Sequence, residues 1–458
     1  MRILQTDRAA PLNPSALVRA RMLRGLSQME LALRSGLSRT QLYKLERGEV
    51  QNPTVGTVHS LAQELKVPAS YLATQPGPVP PEESLHCRAK INRPVRVVEE
   101  LQVRGEHFRR LMMHLEGYIQ APAVHVPEHR ASGAAAIELA AEACRVDWGL
   151  RVDNPIANMT RLLERAGAFV GLFHHDGGVV DAFSWWDGRP YILSKRNSES
   201  ATRRRHSLAH ELGHLVIHRS VATGDKVTED EANLFAGAFL LPAAALKREF
   251  PRSRRIDWDG LIEMKQRWGV SIQAILYRAH DIGLITPATY RSAYVRISQL
   301  GWRKEEPGEP EPEVPEFVRT IVDRLRERGV TEHSLAQALG FDVRLLEDAA
   351  GVSLRDLSAA SSQATILNFP GRRSPDSSPF SKLLAPLLTG GHQAAPPEPA
   401  ATERQDHSSP FEKLLAPLLT SPDVASHGAD APRQADADKT PDRGSPFAKL
   451  LGLGDDDE

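Results

Sequence analysis

Apolar residues in the first 72 positions recur with the period of short helices joined by tight connections. The segments ALVRARMLRG, LSQMELALRSG, LSRTQLYKLERG and TVGTVHSLAQELKV show this period between residues 16 and 72. Gly25, Gly36 and Gly48 stand where helices end, while Ser27 and Ser38 stand where helices begin. The pattern predicts an all-α domain over residues 1–75. Its expected core residues are Leu31, Ala32, Leu42 and Leu45.

The pattern changes after the proline-rich stretch TQPGPVPPEES at residues 74–84. Helical periods return, and three short apolar segments follow, at residues 167–173, 179–186 and 189–195. Short polar connections separate these segments, which favours a small antiparallel sheet. A histidine-rich helix and several further helices come next. Residues 76–300 are therefore interpreted as one α+β domain.

Composition divides the rest of the chain into three parts. The stretch EEPGEPEPEVPE makes residues 301–316 a Pro/Glu-rich linker, and residues 317–361 form a short helical segment. Residues 362–458 are rich in Ser, Pro, Asp and Ala, which is typical of a disordered tail. The expected fold class is therefore multidomain: an all-α domain, an α+β domain with a small antiparallel sheet, and a disordered C-terminal tail.

The tail contains three copies of the pattern Ser-Pro-Phe-x-Lys-Leu-Leu. They begin the segments SPFSKLLAPLLT, SPFEKLLAPLLT and SPFAKLLGLG. The units are too short to stack as a solenoid. We interpret them as repeated docking peptides for an unknown protein; the alternative is that they pack on the chain's own α+β domain.

Charge and cysteine content restrict the setting of the protein. The net charge of the 458 residues is −1, yet residues 1–72 carry ten Lys/Arg and five Asp/Glu, a local charge of about +5. This local excess suggests a polyanionic partner for the first domain. The two cysteines, Cys87 and Cys144, fit a reducing cytosol, and no stretch is apolar enough for a membrane span. We expect a soluble cytoplasmic protein with no membrane partner.

The segment RRRHSLAHELGHLVIHR carries four histidines, each four residues from the next: His206, His210, His214 and His218. Only His210 and His214 enclose the His-Glu-x-x-His arrangement, in which two imidazoles on one helix face hold Zn²⁺. Glu211 then takes a proton from a water molecule activated by the metal. Positions eight apart on a helix are roughly 12 Å apart along its axis, so three of these histidines cannot share one ion. His206 and His218 are interpreted as flanking residues.

A third ligand is expected from the acidic cluster in VTEDEANLFAGAFLLP. This cluster contains Glu229, Asp230 and Glu231. Glu231 lies 17 residues past His214, which leaves room for a turn and a returning helix. We predict Glu231 as the third zinc ligand, with one coordination position left open for water.

The segments AHELGHLVIH, EDEANLFAGAFLLP and WGVSIQAILYRAHDIGLIT together resemble the ImmA/IrrE metallopeptidases. These are bacterial zinc proteins that cleave helix-turn-helix repressors, and the resemblance spans about residues 160–290. It implies zinc binding by His210, His214 and Glu231, with Glu211 as general base.

The segment LSQMELALRSGLSRTQLYKLERGEVQNPTVGTVHSLAQEL resembles the Xre and lambda-repressor-like helix-turn-helix family. The resemblance implies a phosphate contact for Gln28. It also implies base-facing roles in the major groove for Arg39, Thr40 and Lys44. Tyr43 is left with two interpretations, core packing or a phosphate contact.

Two functions fit these features. The first is a transcription regulator that binds a double-stranded DNA operator, possesses zinc endopeptidase activity and cleaves a helix-turn-helix repressor or an antitoxin. The second is a repressor whose metallopeptidase-like domain senses a ligand or metal without turnover. A homodimer is compatible with both, and when bound to DNA the protein would be associated with the bacterial nucleoid.

Overall fold

The first domain is a bundle of five short helices. The computed structural model of the chain describes residues 10–354, except positions 51, 81, 83–85, 88–93, 120, 176–179, 197–199, 220 and 254. The bundle consists of α1 (Pro14–Leu23), α2 (Gln28–Ser35), α3 (Arg39–Glu46), α4 (Val55–Leu65) and α5 (Ala69–Ala73). Ser27 and Ser38 cap α2 and α3 in capping boxes with Glu30 and Gln41. The four predicted core residues are all buried.

The second domain surrounds a small mixed sheet with helices. Its strands are β1 (His86–Cys87), β2 (Phe169–Phe173), β3 (Ala182–Asp187) and β4 (Arg189–Lys195), in the order β1-β3-β4-β2. The helices are α6 (Val95–Glu116), α7 (Ala134–Asp147), α8 (Met159–Arg165), α9 (Ala201–Ile217), α10 (Lys226–Leu240), α11 (Ala243–Glu249), α12 (Trp258–Trp268), α13 (Ile272–Asp281) and α14 (Pro287–Gln299). Three more helices follow: α15 (Phe317–Glu327), α16 (Glu332–Ala338) and α17 (Val343–Ala350).

The sheet differs from the expected antiparallel one in a single pairing. β3 and β4 form the predicted antiparallel hairpin, but β2 pairs with β4 in parallel. β4 lies between β3 and β2, and its run from Pro190 to Ser194 is buried along its whole length. A strand that is buried on both faces has a continuous apolar sequence. Such a sequence does not indicate whether the neighbouring strands are parallel or antiparallel.

Two hydrophobic clusters lie on opposite faces of the sheet. Phe169 and Phe173 of β2 belong to the cluster that also contains the cores of the five-helix bundle, α6 and α15–α17. Val170, between them, belongs to the cluster formed by α7–α14. Side chains alternate across a strand, so one strand contributes to both clusters. The helix bundle is thereby packed on the second domain through a shared core.

One contact joins the bundle, α6 and the C-terminal helices. The hydroxyl of Tyr71 lies 2.9 Å from Nε2 of His107, whose ring lies 5.0 Å from that of Phe341. Burial lowers the pKa of His107 to about 3, with neighbouring arginines acting in the same direction. His107 is therefore neutral, and its Nε2 accepts a hydrogen bond from the hydroxyl of Tyr71 at this junction.

The Pro/Glu-rich segment at residues 301–316, expected to be a linker, is packed across three helix ends. Glu306 accepts hydrogen bonds from the backbone N–H groups of Ile272 and Gln273, at the start of α13. Glu309 accepts one from Thr202 at the start of α9. Carboxylates satisfy the unpaired N–H groups there and complement the helix dipole.

Glu313 is buried at the start of a third helix. It accepts hydrogen bonds from the backbone N–H groups of Met159 and Thr160 at the start of α8, at 3.0 and 2.8 Å, and forms an ion pair with buried Arg205. Composition alone cannot distinguish a solvated glutamate from one that caps a helix.

We expect Glu313→Ala to lower the free energy of unfolding by about 3–5 kcal/mol, because it leaves the buried Arg205 charge without its partner. Urea unfolding monitored by circular dichroism measures this loss. Glu311→Ala is the matched control: Glu311 lies two residues away and is exposed, so its loss should stay within about 0.5 kcal/mol. Equal midpoints for the two variants would contradict the capping role of Glu313.

The predicted tail at residues 362–458 and its three repeats lie outside the described residues. Within the described part of the chain, every helix is too short or too polar to cross a bilayer.

Candidate metal centre

The helix that carries the histidines is buried along nearly its whole length. α9 packs closely on α10 and also contacts α7, α8 and the sheet, and Ser200 and Glu309 cap its N-terminus. His210, Glu211 and His214 have no exposed surface. Three polar side chains buried on one helix need specific partners, since burial without partners is costly.

His210, His214 and Glu229 converge on one point. Nε2 of His210 lies 3.1 Å from Nε2 of His214. The Glu229 carboxylate lies 3.3 Å from the first of these atoms and 3.5 Å from the second. Among the described residues, these three form a group whose ligand atoms all lie within 4.8 Å of one another.

The structure places Glu229, and not the predicted Glu231, beside the two histidines. Residues two apart on a helix point in directions roughly 200° apart, so only one of the two glutamates can face His210. Glu229 shares its face of α10 with Ala232 and Asn233, which lie three and four residues further on and also contact α9. This spacing is the sequence signal that identifies Glu229.

Glu231 instead ends a chain of hydrogen bonds that starts at His214. Nδ1 of His214 lies 3.0 Å from Nδ1 of His218, and Nε2 of His218 lies 2.9 Å from Glu231. Ser132 donates to the other oxygen of Glu231 at 2.7 Å. One assignment of protons satisfies the chain: His218 donates to Glu231, and His214 donates to His218.

This assignment turns the ligand atoms of both histidines into acceptors. His214 holds its proton on Nδ1, and Nδ1 of His210 lies 3.0 Å from the side-chain oxygen of Asn233, to which it donates. Nε2 of each ring then presents a lone pair toward the other ring and toward Glu229. Three acceptors facing one another are stable only with a cation between them, and metal-binding histidines are oriented by such hydrogen bonds from the second ring nitrogen.

The charges of the site agree with this arrangement. Burial lowers the pKa of His214 to about 4, against the opposing influence of Glu229, so the ring is neutral at pH 7. Burial opposes the charge of Glu229, but positive charge on the side of His210 and His214 lowers its pKa, and a cation held between the two Nε2 atoms would act in the same direction. The pKa of Glu231 is lowered in the same way by hydrogen bonds from His218 and Ser132. Neutral imidazoles and an ionised carboxylate are the forms that bind a metal.

Gly213 allows α10 to approach α9 at the centre of the site. A Cβ atom at position 213 would lie 3.2 Å from the carbonyl oxygen of Ala232 and 3.3 Å from its Cα. The absence of a side chain here lets the two helices lie close enough for Glu229 to reach the histidines.

Glu211 faces the sheet. It accepts a hydrogen bond of 2.6 Å from the hydroxyl of Ser184 in β3, and both residues are fully buried. Ser184 therefore holds the carboxylate of the predicted base in position. This role is not predicted from the sequence, because Ser184 lies on β3, 27 residues before Glu211.

The outer edge of β3 is paired with β1. The antiparallel register places His86 opposite Ser184 and Cys87 opposite Phe183. The backbone of residues 86 and 87 thus lies along the strand that holds Glu211 in place.

The donor set fits a zinc ion. Two imidazole nitrogens bound to one tetrahedral ion lie roughly 3.3 Å apart, close to the observed 3.1 Å. With Glu229 as the third donor, one position stays open, as in catalytic zinc sites. His206 is buried but does not belong to this group.

Three of the four residues to which the helix-turn-helix resemblance assigns DNA contacts lie on α3, and the fourth begins α2. Arg39, Thr40 and Lys44 are exposed along α3. The side-chain amide of Gln28 donates to Glu46 at 2.6 Å, and Glu46 also binds Arg21. These contacts, which the sequence analysis did not anticipate, fix the Gln28 amide at the start of α2.

Tyr43, for which two interpretations were open, is exposed. It lies on α3 next to Arg47, whose guanidinium carbon is 5.8 Å from the centre of its ring. Core packing is excluded for Tyr43, and its ring is accessible on the same helix as Arg39.

Comparison with known proteins agrees with the two halves of this description. Residues 164–280 match the profile of the peptidase M78 family, the IrrE N-terminal-like domain, and residues 17–72 match a helix-turn-helix profile. Over 60 residues the chain is 47% identical to the uncharacterized HTH-type transcriptional regulator y4dJ of Sinorhizobium fredii, an overlap that covers 13% of this chain and 77% of that protein. The chain therefore belongs to the HTH-type transcriptional regulators and carries, after its helix-turn-helix domain, an IrrE N-terminal-like domain of the peptidase M78 family.

Proposed function

We propose that this regulator binds an operator through α3 and cleaves a regulatory protein, such as a helix-turn-helix repressor or an antitoxin, with a zinc-dependent endopeptidase site. The observation that carries the proposal is the convergence of His210, His214 and Glu229, together with the burial of Glu211, which follows His210 on the same helix. A site that only stabilised the fold would need no buried carboxylate next to its ligands.

The roles of the residues follow from their contacts. A zinc ion held by His210, His214 and Glu229 would polarise the scissile carbonyl and make water more acidic. Glu211 takes the proton from the attacking water and passes it to the leaving amine. Ser184 orients Glu211, while Asn233, His218 and Glu231 orient the two histidines.

A peptide substrate is expected to lie along β3. Extended peptides commonly bind by adding a strand to a sheet edge, and β3 is the strand nearest Glu211. Because residues 86 and 87 already pair with this edge, a substrate that uses it has to displace them.

The substrate can be found by comparing cells that produce the wild-type chain with cells that produce Glu211→Gln. Mass spectrometry of new protein N-termini should identify at least one regulatory protein that is cut only in the wild-type cells. Identical sets of N-termini in the two strains would rule out the peptidase function.

That negative result would favour a second candidate, a repressor whose metal site senses a ligand or metal without turnover. The burial of His210, Glu211 and His214 and the coverage of the β3 edge are compatible with this function as well.

DNA binding supplies another test. An operator selected from a random duplex library should bind the chain with an affinity that falls steeply with salt, because the basic first domain displaces counterions from phosphates. Arg39→Ala should relax the preference at one base pair by about 1–3 kcal/mol. Gln28→Ala should weaken all sequences alike.

Arg34→Ala serves as the control for these variants, since Arg34 is exposed in the same domain but lies on α2. The base preference of this variant should match that of the wild type. If Arg34→Ala relaxes the preference as strongly as Arg39→Ala, α3 is not the element that reads the bases.

The repeats of the tail remain a proposed docking site for an unknown protein.

A further inference from the structure

A cleft of about 480 Å³ lies where the helix bundle, the sheet and the C-terminal helices meet. The bundle contributes the residues that follow α1 and α4, the second domain contributes α6 and the segments that follow β2 and β4, and α17 forms the remaining wall. The charged and ionisable residues that line the cleft are Arg24, Lys66, Arg104, His174, Arg196, Arg344, Glu347 and Asp348. Its volume lies in the range of small-molecule sites.

The lining is strongly cationic. Five arginine and lysine side chains face two carboxylates. The charge of Arg104 is balanced by two carboxylates, because Arg104 pairs with Asp348 at 3.1 Å and with Glu100 at 2.8 Å.

Three of the cations have no such compensation from the residues that the structure describes. Lys66, Arg196 and Arg344 are exposed, and within the described part of the chain no carboxylate forms an ion pair with them. Lys66 follows α4, Arg196 follows β4 and Arg344 belongs to α17. Three distant parts of the sequence therefore bring positive charge to one cavity.

Two hydrogen bonds fix Arg24 in the wall of the cleft. Its guanidinium donates to the backbone carbonyls of Leu65 and Lys66, at 2.7 and 3.0 Å. Burial lowers its pKa; Asp348 and Glu100 oppose this effect, and the charges of Arg104 and Arg344 add to it. A bound anion would offset the charges of the three arginines.

We propose that this cleft binds a small anion that carries several phosphate groups. Arginine forks match the geometry of phosphate oxygens, and several cations around one cavity match a ligand with several negative charges. Because the cations come from the DNA-binding bundle, from the peptidase-family domain and from α17, the bound ligand connects all three.

A duplex DNA backbone is the competing ligand. The described lining of the cleft includes no residue of α3, the helix that is expected to enter the major groove. The cleft is also concave, so a compact anion can enter it, whereas the phosphates of duplex DNA lie on a convex surface.

The test uses the full chain and isothermal titration calorimetry at about 150 mM salt, where nonspecific charge attraction is screened. The probes are ATP and inorganic tripolyphosphate. We expect saturable binding of one equivalent. Tighter binding of ATP would identify a nucleotide as the source of the phosphates, and equal binding would identify the polyphosphate group alone.

The double variant Arg196→Gln/Arg344→Gln should weaken binding of both probes by about tenfold or more, since hydrogen bonds to charged groups are the strong ones. Both residues are exposed, so the circular dichroism spectrum and the zinc content should not change. Arg291→Gln/Lys304→Gln removes the same charge from exposed positions outside the cleft and should bind like the wild type.

Three outcomes would overturn the proposal. The first is a wild-type chain that binds neither probe at millimolar concentration. The second is an equal loss of affinity in the two double variants. The third is a cleft variant that binds both probes normally but has lost affinity for duplex DNA, which would assign these cations to the DNA surface.

Discussion

Glu229→Gln should abolish stoichiometric zinc binding, whereas Glu231→Gln should retain it. The wild-type chain is expected to hold about one equivalent, as are variants that keep His210, His214 and the Glu229 carboxylate. His210→Ala and His214→Ala should lose the metal like Glu229→Gln. Elemental analysis after dialysis gives the stoichiometry.

Affinity separates the two glutamates further. Glu231 acts through His218 on the orientation of His214, and residues in that position typically contribute 10–100-fold to metal affinity. Competition with a chelator should therefore show a loss of this size for Glu231→Gln, and a similar one for His218→Ala.

Asp230→Asn is the matched control, because Asp230 lies between the two glutamates on α10 and is absent from the group around the histidines. It should bind zinc like the wild type. If Glu229→Gln keeps its zinc and Glu231→Gln loses it, the third ligand is Glu231, as the sequence predicts, and not Glu229.

The sequence predicts those parts of this site that depend on residues close together along the chain. His210 and His214 are fixed by helical spacing alone, which is a local property. The third ligand depends on the rotation of α10 about its axis, which is set by packing at Gly213 and Ala232. The position of the acidic cluster after His214 pointed to this segment, and the resemblance to a known family implied the same segment, but packing decides which of its members faces the histidines.

The fold shows the same division. The helices of the bundle were predicted because each has its own start and stop residues, such as Ser27 and Gly36. The parallel pairing of β2 with β4 and the capping of α8 by Glu313 were not, since both join residues far apart in sequence. Ser184 belongs to this second class, because its place beside Glu211 appears only when the sheet is formed.

Glu211→Gln should lower peptidase turnover by about 10²- to 10⁴-fold, the usual contribution of a general acid–base residue. The substitution keeps the volume of the side chain and an oxygen that can accept the hydrogen bond from Ser184, but it removes the group that takes the proton. Zinc content should stay near one equivalent because Glu211 is not among the converging ligands. Turnover is measured with the purified chain and the substrate identified in cells.

Turnover and zinc content have to be measured on the same variants, because a loss of metal would by itself abolish activity. Glu263→Gln, an identical substitution at an exposed position of α12, should leave both unchanged. Ser184→Ala should keep the zinc and lower turnover less than Glu211→Gln does, because it removes the orientation of the base and not the base itself. If Glu211→Gln loses its zinc together with its activity, Glu211 supports the metal site and the proposed role as base is refuted. If it retains both zinc and full turnover, the proton is taken by another group, and the hydrogen bond from Ser184 serves only to satisfy a buried carboxylate.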